Sequence, residues 1–336
     1  MYLSVLCLGL SPAIAAQFKV LDFWGVGGFA HGSRPSANVL LDSLCKVKNC
    51  QLDLADKATV FTSANLAQYT VVVINNSTEI GKLLNVDQKA ALLDFMKSKG
   101  YLGFHGAGDT KGSFADYTIL LGGELSSHGG GNATLLVDTM DTYVKTSTIA
   151  AGLPLKYVLG GEWYAYKTNP RLAPNVKVLY TMDEASCTGC VKMGPLASND
   201  HPVAWVREEK TTGGRMFYMA MGHENSVFEK DKFSKQMVSQ ALTWAARLEG
   251  PSAIRQSAFS SNQNAVVKSQ NAVLTVETQA TGPQTVEILT LQGKRMGFRK
   301  GQTNQTYTFN NLNPNTVYSV VVNSKNGKES HLITTH

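Results

Sequence analysis

The amino-acid sequence predicts an α/β fold with a parallel central sheet, followed by a small antiparallel β-sandwich near the C-terminus. Two observations support this prediction. Up to about residue 105, short apolar runs rich in β-branched residues alternate with segments of helical length and spacing, which is the pattern of β-α-β units. Beyond about residue 270, short runs alternate apolar and polar residues between turn residues, as half-buried antiparallel strands do.

The first part of the chain carries three predicted core strands separated by helix-length segments. Each strand is a compact apolar run, and each helix places apolar residues three or four positions apart. The second helix opens at Asn85, a residue type that caps helix N-termini, and Gly100 ends it. The predicted strands cover residues 18–24, 69–76 and 101–106, and the predicted helices cover 36–47 and 85–99.

The rest of the chain divides into a strand-rich segment, a linker and a second module. Four strand-like segments between about residues 130 and 220 precede a helix predicted at 233–248. Residues 251–270 are rich in Ser, Gln and Asn and poor in large apolar side chains, which is typical of a linker. We therefore predict an α/β domain at 17–250, a linker at 251–270 and a β-sandwich module at 271–336.

The charge distribution argues against nucleic acid as a partner. The 336 residues carry a formal net charge of +6, of which residues 251–336 contribute +5, from eight basic and three acidic side chains. The first 250 residues contribute only +1. A nucleic-acid-binding protein concentrates basic residues on its main domain. The hydrophobic content of 43% and the charged content of 17% describe an ordinary globular protein.

The N-terminus has the pattern of an export signal. An apolar run from Leu3 to Leu10 is followed by Pro12, and the small residues AIAA precede Gln17. This predicts a signal peptide at residues 1–16, too short to span a bilayer as a helix; a buried first strand is the alternative. We expect a secreted or cell-surface bacterial protein with no transmembrane segment.

Four cysteines remain after the predicted signal, in two close pairs. Cys45 and Cys50 form one pair, and Cys187 and Cys190 form the other. Two local disulfides are the simplest account of such pairs in an exported protein. A zinc site of four thiolates is the alternative, although the spacing matches zinc motifs poorly.

Four of the seven histidines end or follow apolar segments beside glycines, where the backbone turns sharply and a side chain can project into a cleft. Histidine can act as acid, base or ligand near neutral pH, and carboxylates extend that chemistry. A hydrogen-bonded structural histidine is the alternative at each position. The run GVGGFAHG does not space its glycines as a dinucleotide fingerprint does, which excludes NAD. Candidate site residues in comparable settings are His31, His105, Asp109, His128, Glu162, Tyr164, Arg215 and His223.

Seven sequence blocks, in order, resemble the ThuA-like family of the trehalose-utilisation type. Among them are FKVLDFWGVGGFAHGS, DQKAALLDFMKSKGYLGFHGAGDT and GRMFYMAMGHENSVFEKDKF, and the resemblance covers roughly residues 18–248. It implies a flavodoxin-like three-layer α/β sandwich similar to class I glutamine amidotransferases. In those enzymes a sharp elbow after a strand presents a cysteine nucleophile. Here His105 lies at the elbow and residues 101–109 contain no Cys or Ser, so an active amidotransferase is not expected.

The resemblance implies an exported protein acting on carbohydrate, as a hydrolase, lyase or isomerase that uses His/Glu acid-base chemistry. We expect His105 or Glu162 to be the general base and His223 to be a polarising group or ligand. Two alternatives stay open: a non-catalytic sugar-binding protein, and a hydrolase that uses a divalent metal such as zinc. The expected catalytic residues are His105, Asp109, Glu162 and His223, and the expected substrate-binding residues are His31, His128, Trp163, Tyr164 and Arg215, with the two aromatic side chains stacking on a sugar ring.

The C-terminal module resembles the sorting or attachment modules of type IX secretion. The resemblance rests on the segments VEILTLQGKRM, NLNPNTVYSVVV and GKESHLITT. It implies contact with a secretion machinery. A generic fibronectin-like spacer is the alternative.

Overall fold

The computed structural model describes residues 18–140, 143–193, 200–248, 265–270, 273–279, 281–290, 294–314, 316–325 and 327–335. The chain forms two compact units that divide between Leu248 and Glu249. Residues 1–16, where a signal peptide is predicted, and residues 251–264 of the predicted linker lie outside the described residues.

The first unit contains one nine-stranded sheet with the strand order β2-β1-β3-β4-β9-β8-β7-β5-β6. The first five strands in this order pair in parallel. The other pairs, from β9–β8 to β5–β6, are antiparallel. The strands are β1 (Phe18–Phe23), β2 (Cys50–Ala55), β3 (Val71–Asn75), β4 (Gly100–Phe104), β5 (Leu125–Val137), β6 (Lys156–Tyr166), β7 (Val176–Asp183), β8 (Pro202–Glu208) and β9 (Arg215–Met219).

Helices cover the sheet in two groups. The first group consists of α1, α6 and α7, which contact one another, and the second consists of α2, α3 and α4. Both α3 and α7 contact β4 and β9, so the parallel half of the sheet is the middle layer of a three-layer sandwich. The helices are α1 (Arg34–Lys48), α2 (Ser63–Leu66), α3 (Val86–Ser98), α4 (Ala115–Leu121), α5 (Tyr143–Thr146), α6 (Asn225–Glu229) and α7 (Lys232–Ala245).

Local sequence explains where the main helices begin and end. Asn85 and Gln88 form a reciprocal capping box at the start of α3. At α1, Pro35 occupies the first turn, where its missing N–H costs nothing, and Asn49 ends the helix in the left-handed conformation.

The predicted three-layer α/β class is confirmed. Every residue of β3 is buried, as its β-branched run predicts.

Strand β2 is absent from the sequence-based assignment. It lies at the edge of the sheet and pairs only with β1 among the described strands. Its residues are half-buried or exposed and none is fully buried, because an edge strand has one side open to solvent. The segment CQLDLA therefore lacks the continuous apolar run by which the core strands are recognised.

The second unit is a sandwich of two small antiparallel sheets, as predicted. One sheet has the order β10-β11-β14 and the other β13-β12-β15-β16, and side chains from both, including Leu274, Val286 and Tyr318, share one buried core. Residues 265–270, expected in the linker, form strand β10 instead, because the run AVVK pairs with β11. The strands are β10 (Ala265–Gln270), β11 (Val273–Thr278), β12 (Gln284–Thr290), β13 (Arg295–Gly301), β14 (Thr306–Phe309), β15 (Val317–Ser324) and β16 (Gly327–Thr334).

Both predicted disulfides are present. Cys45 at the end of α1 is bonded to Cys50 at the start of β2, and Cys187 is bonded to Cys190. The four thiolates of a cysteine zinc site are therefore not available.

Among the described residues, no helix combines the length and apolar character that crossing a membrane requires.

A buried carboxyl group lies beside the parallel core. Asp22 on β1 is fully buried, and its Oδ2 accepts hydrogen bonds from Asn38 Nδ2 at 2.7 Å and from Asn75 Nδ2 at 3.5 Å. Its Oδ1 has no partner. Burial raises the pKa of Asp22 from 3.8 to about 7, against the opposing effect of the two amides. The neutral form is therefore the one that the fold accommodates.

We predict that Asp22→Asn stabilises the first unit at pH 8 but not at pH 4. The unfolded carboxyl ionises near pH 3.8 and the folded one near pH 7, so Asp22 costs stability increasingly as the pH rises between these values. The amide removes this cost, by roughly 2–4 kcal/mol at pH 8. Urea unfolding at both pH values measures the difference.

The control for this prediction is Asp42→Asn, because the Asp42 side chain is 50% exposed. It should change stability little at either pH. Equal stabilisation by Asp22→Asn at both pH values would contradict the buried-carboxyl account.

Candidate functional site

Three histidines meet beyond the carboxyl ends of the parallel strands, where ligands bind in open α/β sheets. His31 lies in the loop after β1, His105 directly follows β4, and His223 lies in the loop after β9. The centroid of the His31 ring lies 4.7 Å from that of His105 and 5.2 Å from that of His223. The His105 and His223 centroids are 5.6 Å apart. All three pairs are edge-to-face, so the three rings pack directly against one another.

His105 lies at a sharp elbow. Its φ is +38°, a left-handed conformation that is uncommon for a residue with a side chain. Its Nδ1 donates to the carbonyl oxygen of Ala220 at 2.6 Å, and its own carbonyl accepts from the Tyr218 hydroxyl at 2.8 Å. A Cβ on Gly222 would lie 3.2 Å from the His105 Cβ, so glycine leaves room for the elbow.

The elbow fixes the tautomer of His105. Because Nδ1 carries the hydrogen that Ala220 accepts, Nε2 of the neutral ring presents a lone pair. The side chain is fully buried, and burial lowers its pKa, although Glu162 and the Ala220 carbonyl act in the opposite direction. His105 Nε2 lies 3.2 Å from Glu162 Oε2, a close approach without an aligned hydrogen bond. Nε2 therefore faces the Glu162 carboxylate.

Glu162 reaches the cluster from the antiparallel half of the sheet. Only Thr134–Val137 of β5 pair with β7, so the remainder of the β5–β6 hairpin projects past the sheet and brings Glu162 to His105. Its other oxygen, Oε1, lies 2.7 Å from Nδ1 of the exposed His128. Burial alone would raise the pKa of Glu162, but His105, His128 and His223 together lower it to about 2. The side chain is therefore a carboxylate held between two imidazoles.

His31, Glu162 and His223 form a potential metal-binding group. Each offers one ligand atom, and these three atoms lie within 4.8 Å of one another. His31 is 4% exposed and its Nδ1 has no hydrogen-bond partner. Burial and the neighbouring His105 and His223 lower the pKa of His31 to about 3, which leaves the ring neutral. A buried neutral imidazole with a free nitrogen is a competent metal ligand.

Asp109 lies at the end of the turn that follows His105. Its carbonyl oxygen accepts from the backbone N–H of Glu79 at 2.6 Å, which fixes the turn. Its Oδ1 is buried without a partner. Burial raises the pKa of Asp109, and the charge of Lys111 opposes that shift. The structure thus places Asp109 close to the cluster but outside the three-residue metal-binding group.

Asn76 ties the loops of the cluster together, although sequence reasoning gave it no role. Its Nδ2 donates to Ser33 Oγ and to the Gly222 carbonyl, each at 3.2 Å, and its Oδ1 accepts from the Gly106 N–H at 3.0 Å. Ser33 Oγ donates to the same Gly222 carbonyl at 2.5 Å. One amide therefore links the loops that carry His31, His105 and His223. The signal for this role was an asparagine at a strand end, a residue type that tolerates left-handed φ.

Structural contacts occupy three of the residues that were expected to bind substrate: Tyr164, Trp163 and Arg215. Tyr164 is 1% exposed and packs on His105, with ring centroids 4.2 Å apart, so it supports the elbow and has no free face for a sugar. Trp163 is also 1% exposed and donates from Nε1 to the Gly131 carbonyl. Its side chain lies on the opposite face of β6 from Glu162, as strand alternation requires.

Arg215 lies at the far end of the sheet from the cluster. It begins β9 and is level with Gly100, whereas Met219 at the other end of β9 is level with Phe104. Its guanidinium donates to Glu208 and to the Trp244 carbonyl. The expected contact between Arg215 and substrate is therefore not what the fold provides; Arg215 joins a strand to a helix end.

A buried His201–Glu184 pair supports β6 through the backbone carbonyl of Tyr164. His201 is fully buried, and its Nε2 lies 2.9 Å from the Tyr164 carbonyl while its Nδ1 lies 2.9 Å from Glu184 Oε1. Nearby, a Cβ on Gly131 would lie 2.7 Å from Cys187 Sγ, so the disulfide loop packs closely on the glycines of β5. These contacts hold the hairpin that carries Glu162.

Comparison with known proteins identifies a family. A family model described as ThuA, trehalose utilisation, matches residues 19–245. A ThuA-like protein of Bacteroides uniformis aligns with 70% of this chain and 94% of its own at 20% identity and a TM-score of 0.57. A ThuA-like protein of Parabacteroides merdae aligns with 68% of this chain and 90% of its own at 16% identity and a TM-score of 0.51. At these identities the structural likeness shows the fold alone. The search of curated proteins gave no significant match.

We predict that Asn76→Ala destabilises the first unit by about 3 kcal/mol, because it leaves buried loop groups without partners. Urea unfolding of the purified variant measures the loss. Asn175→Ala is the matched control. Asn175, like Asn76, has a left-handed backbone conformation, with a φ of +62°, but its side chain is exposed. This substitution should cost roughly 1 kcal/mol or less. Equal losses in the two variants would show that the left-handed backbone, and not the hydrogen bonds, accounts for the effect.

Proposed function

The chain belongs to the ThuA family of trehalose utilisation, and we propose that it is a metal-dependent enzyme acting on a carbohydrate. The observation that carries the proposal is the convergence of one ligand atom each from His31, Glu162 and His223 within 4.8 Å. Of the alternatives open at the sequence level, this favours the metal-dependent one over acid-base chemistry by His and Glu alone.

The chemistry of the donor set supports a divalent metal. Two imidazoles and one carboxylate form a ligand set that zinc accepts, with a fourth position left for substrate or water. A metal bound there would polarise a substrate oxygen. The neighbouring His105, held through Nδ1 by the Ala220 carbonyl, contacts the carboxylate of this set with its Nε2.

The remaining polar residues are assigned by their contacts. His128 holds one oxygen of Glu162, and Tyr164 holds the ring of His105. His105 Nε2 and Asp109 Oδ1 are buried and lack hydrogen-bond partners, so we assign these two groups to proton transfer. Hydrolysis, elimination and isomerisation of a sugar each need a polarised oxygen and a proton carrier, and this arrangement supplies both.

Amidotransfer is not part of the proposal. The elbow after β4 carries an imidazole, and the turn His105–Gly108 holds no thiol. The acyl chemistry of an amidotransferase elbow requires that thiol.

We predict that the purified protein binds zinc stoichiometrically and that His31→Ala and His223→Ala abolish this binding. His128→Ala should retain the metal, because His128 contacts the carboxylate from its solvent side and is outside the three-residue group. Elemental analysis after dialysis against zinc measures the metal content. Turnover of trehalose, before and after chelation, measures the dependence of activity on the metal.

The outcomes separate the alternatives. Sugar turnover by metal-free protein would contradict the proposed metal dependence and favour acid-base chemistry by His and Glu alone. Sugar binding without turnover, with or without zinc, would support the binding-protein alternative. Zinc retained in both His31→Ala and His223→Ala would contradict the assigned ligands.

We also propose that the chain is exported and that its C-terminal β-sandwich serves sorting or attachment. The two disulfides support residence in an oxidising compartment. A role in sorting or attachment is supported by the β-sandwich being a separate unit with its own core.

For export, we predict that the mature protein isolated from its source begins at or near Gln17 and contains no free thiol. Intact mass before and after reduction and alkylation tests both statements. A mature chain that keeps residues 1–16, or that reacts at four cysteines without reduction, would contradict export.

A further inference from the structure

Phe29 is an exposed aromatic side chain beside the histidine cluster. It is 64% exposed, and its ring lies edge-to-face with His31, with centroids 4.9 Å apart. A phenyl ring left in water forgoes the favourable free energy of burying its apolar area. The aromatic side chains expected to stack on sugar, Trp163 and Tyr164, are each 1% exposed, so they do not fill that role.

The loop that carries Phe29 is held in place by the chain after β3. The Phe29 carbonyl accepts from Thr78 Oγ1 at 2.7 Å, and Gly27 N donates to the Thr78 carbonyl at 2.9 Å. An isolated β-bridge joins Ala30 to Ser77. The phenyl is therefore exposed on a fixed backbone, which lowers the entropy cost of binding a ligand.

The glycines of GVGGFAHG give this loop its shape. A Cβ on Gly27 would lie 2.4 Å from the Glu79 carbonyl oxygen, and one on Gly28 would lie 2.3 Å from Glu79 Oε1. Glu79 is itself held by ion pairs with Lys82 and Lys111. The two glycines let the loop lie against Glu79, and the chain then presents Phe29 and His31 within two residues of each other.

We propose that Phe29 is the platform on which the carbohydrate substrate stacks one apolar face of a pyranose ring. The inference rests on the proposed function and adds the orientation of the substrate. A ring lying on Phe29 places hydroxyl groups on its edge, next to His31. The platform selects a neutral sugar with an uninterrupted C–H face, since aromatic faces contact C–H groups and repel anionic substituents.

The test compares Phe29→Ala and Phe29→Trp with the wild-type protein, using trehalose, maltose, cellobiose and glucose as probes. Calorimetry measures sugar affinity, steady-state kinetics on any sugar that turns over measures kcat and KM, and elemental analysis measures zinc. Losing roughly 60 Å² of stacked ring area should weaken binding by Phe29→Ala about tenfold. KM should rise by a similar factor with kcat nearly unchanged, and Phe29→Trp should restore affinity.

Leu172→Ala is the matched control, because Leu172 is a 78% exposed apolar side chain elsewhere in the same unit. It should leave sugar affinity unchanged. Unaltered affinity in Phe29→Ala would overturn the platform, and so would a loss of zinc in that variant, which would place the effect on His31. Failure of the wild type to bind any of the four sugars would overturn the platform together with the carbohydrate assignment, while the zinc content would still report separately on the metal centre.

Discussion

The hydrogen bonds of one buried amide join the three loops that carry the histidine cluster. Asn76 bonds Ser33, Gly106 and Gly222 at once, and each of these belongs to a different loop at the carboxyl edge. Ser33 begins helix α1, yet its hydroxyl makes no capping bond and donates to Gly222 instead. Local helix stability is thus given up for a contact between loops. The contact joins loops whose histidines are far apart in sequence, in addition to the bonds that His105 makes with Ala220 and Tyr218.

The two halves of the sheet make different contributions to the cluster. The parallel half supplies imidazoles on short loops, and the antiparallel half supplies the carboxylate of Glu162 on a long hairpin. The loops are joined by Asn76, whereas the hairpin is supported by the buried His201–Glu184 pair and by the disulfide loop packed on Gly131. In this chain, the cluster is therefore formed by loops at the carboxyl edge of the parallel strands together with the β5–β6 hairpin, which has supporting contacts of its own.

The core strands and the main helices can be predicted from the sequence, because each carries a strong local pattern. Three of the candidate histidines, His31, His105 and His223, lie together in the fold. Sequence reasoning missed β2, whose edge position removes the apolar run, and Asn76 and Phe29, whose roles come from contacts distant in sequence. Trp163 could have been placed correctly, since strand alternation separates it from Glu162. Arg215 could have been placed as well, since it opens the strand-like segment that ends just before His223 and so lies at the opposite end of that strand.

The carboxylate of Glu162 faces two environments. One oxygen approaches the fully buried His105, and the other pairs with His128, whose side chain is 57% exposed. His128, although exposed, is thus one contact away from the interior. A change at the surface of the hairpin therefore alters the environment of a group that touches the buried His105.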